Sequence, residues 1–177
     1  MKKPVLLSLL ALSCFYMEAC HDQHKAKNYN NKTLVDDAGI TILTQATEAN
    51  HTEMEAAKLA IKSSSNPRVV NYAKMMMADH TSMGNEMQKL AVSKEVTTPD
   101  AIQPEHKQLL AALSSKTGAD FDKTYMQMMV TDHEKVILLF HDATENTNAS
   151  LNGFAEKYIG KLQMHLDSAK AISASLK

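Results

Sequence analysis

The pattern Tyr-x-x-Met-Met-x-x-Asp-His occurs twice in this chain, at Tyr72 to His80 and at Tyr125 to His133, 53 residues apart. At helical spacing His80 falls among Val69, Ala73, Met76, Met83, Met87 and Leu90, and His133 among Met126, Met129, Val136, Phe140 and Ala143. A third seam carries His165 between Leu151, Ala155, Tyr158, Leu162, Ala169, Ile172 and Leu176. A fourth, Val35, Ala38, Ile42, Ala46, Ala49, Glu53, Ala56 and Ala60, has Glu53 as its one ionisable member. Burying an uncompensated imidazole or carboxylate costs several kcal/mol, so each of these four must be paired, neutral or coordinating.

Two chemistries satisfy that condition, and the residues alone leave both open. Glu53, His80, His133 and His165 can hold a transition metal, since imidazole and carboxylate suit zinc, iron, manganese or copper. Asp79 and Asp132, turned about 100° from their histidines, would then orient the imidazoles of neighbouring helices from outside the ligand set. Alternatively the four form a buried polar network that fixes helix register, with Glu53 on one or two imidazoles and Tyr72 and Tyr125 bonded to the others. A standard di-iron bundle needs four carboxylates and two Glu-x-x-His pairs. The single pair in the helical region is Glu48-x-x-His51, whose neighbours Asn50 and Thr52 read as a solvated face. Glu55 and Glu134 are reserve carboxylates beside stronger candidates. Ferroxidase chemistry is disfavoured, and with no serine, cysteine or phosphate-loop constellation no residue is assigned as catalytic. Eight of the twelve methionines lie between Met75 and Met129. Met76, Met83 and Met129 border the histidines, a mixture that suits copper(I) and equally suits adaptable core filler.

The elements that must position these side chains are helices. Gly and Pro are scarce, Trp is absent, and Ala, Lys, Leu and Met abound. Helix A is expected over about 34–62. Helix B starts at Pro67 with Asn66 as its cap. A crossover with Pro99 and Pro104 follows, holding a short helix over 105–115. Gly118 closes that helix, Asp120 caps helix C to about Thr144, and helix D runs from Leu151. Two hairpins joined by one long crossover make B and C parallel, which gives an all-α, ferritin-like four-helix bundle; plain up-down-up-down is the alternative. At ~1.5 Å per residue, the three histidines and Glu53 all fall near mid-height.

The first residues read differently. Lys2 and Lys3 precede an apolar run from Val5 to Met17, too short for a stable membrane span, so residues 1–19 are expected to be an export signal. Cys20 would be the lipidated residue of a lipoprotein, although Met17 and Glu18 are poor flanks and Cys14 competes; cleavage to a free periplasmic protein is the alternative. Residues 20–33 form a polar tether and 34–177 the bundle domain. Neither cysteine falls in that domain, so helix packing alone stabilises it. Without the signal the net charge is near −2 with no basic stripe, which argues against nucleic acid as partner. Membrane contact is expected only through a lipid anchor, with another envelope component or self-association as the partner.

Glu53-Met-Glu-Ala-Ala-Lys-Leu-Ala60, Met77-Ala-Asp-His80, Met129-Val-Thr-Asp-His133 and Ile159-Gly-Lys-Leu-Gln-Met-His-Leu166 together resemble the domain of unknown function 4142 family, over about 34–176. The resemblance implies a ferritin-like bundle in an exported bacterial protein, often labelled an outer-membrane protein, and implies no known activity. Where the family has proline before the last histidine motif, this chain has Gly160.

Overall fold

The computed structural model describes residues 35–176. The expected export signal, the expected lipidation site at Cys20 and the expected tether at 20–33 lie outside them. No helix among the described residues is long and apolar enough to cross a membrane.

The described chain is helical: α1 Asp37–Ser63, α2 Pro67–Ser93, α3 Pro104–Ser114, α4 Gly118–Thr144 and α5 Ala149–Ser173. Local chemistry sets most of these limits. Asp36 accepts from the Gly39 amide at 2.8 Å, Asn66 from the Arg68 amide at 3.0 Å, and Asn148 from the Ser150 and Leu151 amides at 3.1 and 3.2 Å. Each satisfies amides that a helix start leaves without partners. Pro67 fits the first turn because it has no amide hydrogen to lose. Two boundaries differ from expectation. Gly118, at φ +56°, turns the chain left-handed and opens α4 itself, so Asp120 lies in the first turn rather than at the cap. Helix α5 starts two residues early, because Asn148 caps it.

Side-chain contacts fix the topology. Tyr72 meets Tyr125 with ring centroids 6.2 Å apart, and His80 meets His133 at 5.7 Å, each histidine eight residues beyond its tyrosine. Helices α2 and α4 are therefore parallel. Lys161 bonds Asp79 while Lys157 bonds Glu86, so α5 runs antiparallel to α2. Asn146 reaches Asp36, placing the end of α4 at the start of α1. This is the ferritin-like arrangement, with the crossover from Lys94 to Thr117 carrying α3 along the bundle. Leu43, Met76, Met126, Phe140 and Leu162 are fully buried between the four long helices, each worth about 1.5–3 kcal/mol of transfer free energy.

Helix α1 departs from its expected seam. Ala38 is exposed, whereas Thr47, Glu48, Asn50 and Thr52 are buried beside Glu53. The side of α1 around Glu48 is not solvated because the crossover lies over it, whereas His51 stays partly exposed. Glu48 accepts from the Gln103 amide at 3.0 Å and from Thr52 at 3.2 Å, and pairs with His106 Nδ1 at 2.7 Å. Burial alone would raise the Glu48 carboxyl, but these hydrogen bonds outweigh it and hold it below the usual range.

Candidate metal centre

The four seam residues converge. Glu53, His80 and His165 are each 1 % exposed and His133 is 0 % exposed. The imidazole centroids are 5.4 to 5.7 Å apart, and one ring nitrogen from each histidine can be chosen so that all three lie within 4.8 Å of one another. Each comes from the middle of a different helix, α2, α4 and α5, and α1 contributes Glu53.

The hydrogen bonds decide which nitrogen of each ring carries the proton. His133 Nδ1 donates to the Met129 carbonyl at 2.9 Å, an oxygen that can only accept. His165 Nε2 donates to Asp79 Oδ2 at 2.9 Å, while Lys161 donates to Oδ1 of the same carboxylate at 2.7 Å. Burial would raise Asp79, but the bonds from Lys161 and His165 outweigh it and keep it ionised. His80 Nδ1 donates to Asn50 Oδ1 at 3.1 Å, an oxygen that can only accept, with Glu53 Oε2 also 3.1 Å away. In the neutral rings the remaining nitrogens, His80 Nε2, His133 Nε2 and His165 Nδ1, therefore carry lone pairs.

Neutral is the state that burial favours. Desolvation, reinforced by the other imidazoles, holds His80 well below the usual histidine range, His133 is held down to about 4, and burial also lowers His165. Two of the lone-pair nitrogens, His133 Nε2 and His165 Nδ1, nevertheless face each other at 3.4 Å. The third, His80 Nε2, is buried with no hydrogen-bond partner. Two facing lone pairs repel unless a cation lies between or beside them.

Glu53 meets the histidines at their Nδ1 edges. Its Oε1 lies 3.3 Å from His133 Nδ1, whose proton is already committed to Met129, so Oε1 is close to the ring without a hydrogen bond. Burial, with Asp132 adding to it, pushes the Glu53 carboxyl well above its ordinary range. The hydroxyls of Tyr72 and Tyr125 are buried without partners, and neither bonds an imidazole.

The two aspartates of the repeat have different surroundings. Asp79 on α2 faces α5 and finds His165 and Lys161, the acceptor role expected of it. Asp132 on α4 faces α1, where the position matching His165 is Glu53 and the one matching Lys161 is Ala49. No hydrogen bond joins Asp132 to an imidazole among the described residues. It borders a cavity of about 70 Å³ with Glu53, Ala49, His106 and Lys135. Burial raises its carboxyl.

Asn50 and Gly84 were not foreseen as parts of the site. A Cβ on Gly84 would lie 2.7 Å from Asn50 Nδ2, so only glycine lets Asn50 lie against His80. The signal was available: a glycine inside a helix, one turn beyond His80, costs about 1 kcal/mol against alanine and marks a close approach.

The family described as "Domain of unknown function (DUF4142)" matches residues 23–172. The chain belongs to that family. Its fold is similar to the crystal structure of a DUF305 fragment from Deinococcus radiodurans, with a TM-score of 0.72 at 10 % identity over 81 % of this chain and 99 % of that one. That likeness concerns the fold alone. No curated protein matches the chain.

Proposed function

We propose that the bundle binds one transition-metal ion through His80 Nε2, His133 Nε2 and His165 Nδ1. The observation that carries this reading is the pair of lone-pair nitrogens facing each other at 3.4 Å with their other nitrogens committed to Met129 and Asp79. Two nitrogens at the usual ~2.0–2.1 Å from a tetrahedral zinc stand about 3.3 Å apart, so this edge already fits an ion. One nitrogen from each of the three rings lies within 4.8 Å of the others. Metal-bound histidines generally donate their second N–H to a carboxylate or carbonyl, and here Asp79, the Met129 carbonyl and Asn50 with Glu53 serve that purpose. Glu53 lies behind two of the rings, at the Nδ1 edges of His80 and His133, and is outside the three-histidine ligand set. Zinc, iron, manganese and copper all accept imidazole nitrogen, and the role is binding rather than a defined catalysis.

The competing reading is a structural network, favoured by Glu53 lying within 3.3 Å of both His80 and His133. In that case the bundle is a scaffold for an envelope partner. Residues 1–19 as export signal, lipidation at Cys20 and a periplasmic or outer-membrane location complete the proposal, with no nucleic acid among the partners.

Elemental mass spectrometry on the mature domain, purified without chelator or affinity histidines, tests it alongside His80→Ala and His133→Ala. About one ion per chain, lost in both variants, is the expected result. A wild type that carries no metal and cannot be loaded would leave the histidines as core architecture.

A further inference from the structure

The centre is buried on all sides, so an ion must reach it through the bundle wall, and two openings approach it. One is the 70 Å³ cavity beside Glu53 and Asp132, which carries the Lys135 ammonium and no sulfur. The other is a groove of about 290 Å³ between α1 and α2 that reaches His80 directly. Two of its donors are partly exposed and two are buried. His51 and Met54 are partly exposed at the rim, Met87 is 1 % exposed, and His80 is 1 % exposed at the floor.

Asn50 joins rim to floor, with Nδ2 on Met54 Sδ at 3.5 Å and Oδ1 on His80 Nδ1 at 3.1 Å. No Asp, Glu, Lys or Arg side chain lines this groove. A hard divalent ion gives up strongly held water and needs anionic oxygens in return, which the groove does not offer. A soft monovalent ion loses less hydration and is bound by thioether and imidazole, the two donor types present.

We propose that this groove is the entry route for copper(I), passed from His51 and Met54 at the rim to Met87 and then to His80. The proposal rests on the reading of the three histidines as a metal centre and adds the kind of ion and its path. The ion moves by exchange of neutral ligands, with no change of oxidation state. The two thioethers act on the rate of loading and leave its endpoint to the histidines.

The test is transfer of copper(I) from a chromophoric chelator to the full mature protein, under anaerobic reducing conditions, followed by loss of the chelator's colour. Zinc(II) from its own chromophoric chelator is the control. Met→Leu conserves volume in a packed wall, so the Met54→Leu/Met87→Leu double variant keeps the fold. It should take up copper(I) about tenfold more slowly, equivalent to ~1.4 kcal/mol on the entry barrier, with unchanged final stoichiometry and unchanged zinc rate. His51→Gln, at the partly exposed rim, should slow copper(I) in the same direction should the double variant pack poorly. Equal copper(I) rates in wild type and variants would overturn the route, as would zinc slowing to the same degree. Failure of wild type to bind either ion would overturn the centre itself, an outcome separate from failure of the route.

Discussion

Replacing Gly84 by alanine tests whether α1 and α2 close on the site as described. In an ordinary helix interior Gly→Ala stabilises by about 1 kcal/mol. Here the new Cβ would stand 2.7 Å from Asn50 Nδ2 and 3.5 Å from its Cγ, well inside contact distance. Asn50 cannot swing aside freely, because its amide holds His80 Nδ1 at 3.1 Å and Met54 Sδ at 3.5 Å. Displacing it removes a buried hydrogen bond, a loss of roughly 1–3 kcal/mol. Gly84→Ala should therefore destabilise the wild type by about 1 kcal/mol net, the displacement outweighing the helix gain. In an Asn50→Ala background the obstacle is gone, and the same change should stabilise by about 1 kcal/mol. Urea denaturation of the chelator-treated domain, with four proteins at constant m-value, gives the coupling as about 2 kcal/mol. Stabilisation by Gly84→Ala in both backgrounds would refute the close approach of Asn50 to His80.

In the metal-free chain, burial holds His133 down to about 4, against 6.5 when unfolded. The unfolded chain binds more protons between those values, so stability falls as pH drops; His133 alone should remove roughly 2 kcal/mol between pH 7 and pH 5. Glu53, raised by burial, works with the opposite sign, and its contribution is lost as pH rises. The difference in urea stability between wild type and His133→Gln isolates the histidine, and a difference independent of pH would contradict its neutral burial. Asp79→Asn removes the charge behind His165 and should weaken metal affinity about 10–100-fold in chelator competition; unchanged affinity would remove Asp79 from the site. Glu48→Ala should cost about 1–3 kcal/mol and speed hydrogen exchange at the Gln103 amide, which Glu48 accepts at 3.0 Å. Exchange as slow as in wild type would mean that other contacts hold the crossover.

The positions of Glu53, His80, His133 and His165 were legible because each interrupts an apolar seam, and counting residues along each helix put them at one level. The repeat suggested equal roles for Asp79 and Asp132, and the surroundings separate them. Asp79 faces a histidine and a lysine, and Asp132 faces a glutamate and the space beside an alanine. The face around Glu48 and Asn50 looked solvated because its residues are polar. Glu48 is buried because the crossover brings Gln103 and His106, more than fifty residues away in sequence, against it, and Asn50 because it lies against His80 and Gly84 of α2.

The sequence by itself determined the helices, their order, the buried stripes of α2, α4 and α5 and the depth of the four ionisable residues, since all of these depend on local periodicity, caps and length. Only the tertiary structure decided which nitrogen of each imidazole is left bare. That depends on the acceptor each ring meets: the Met129 carbonyl in its own helix, Asp79 on α2 for a histidine of α5, and Asn50 with Glu53 on α1 for a histidine of α2. Periodicity places a side chain around its own axis, whereas its partner is chosen by the neighbouring axis, which the long crossover and the packing of all four helices fix together.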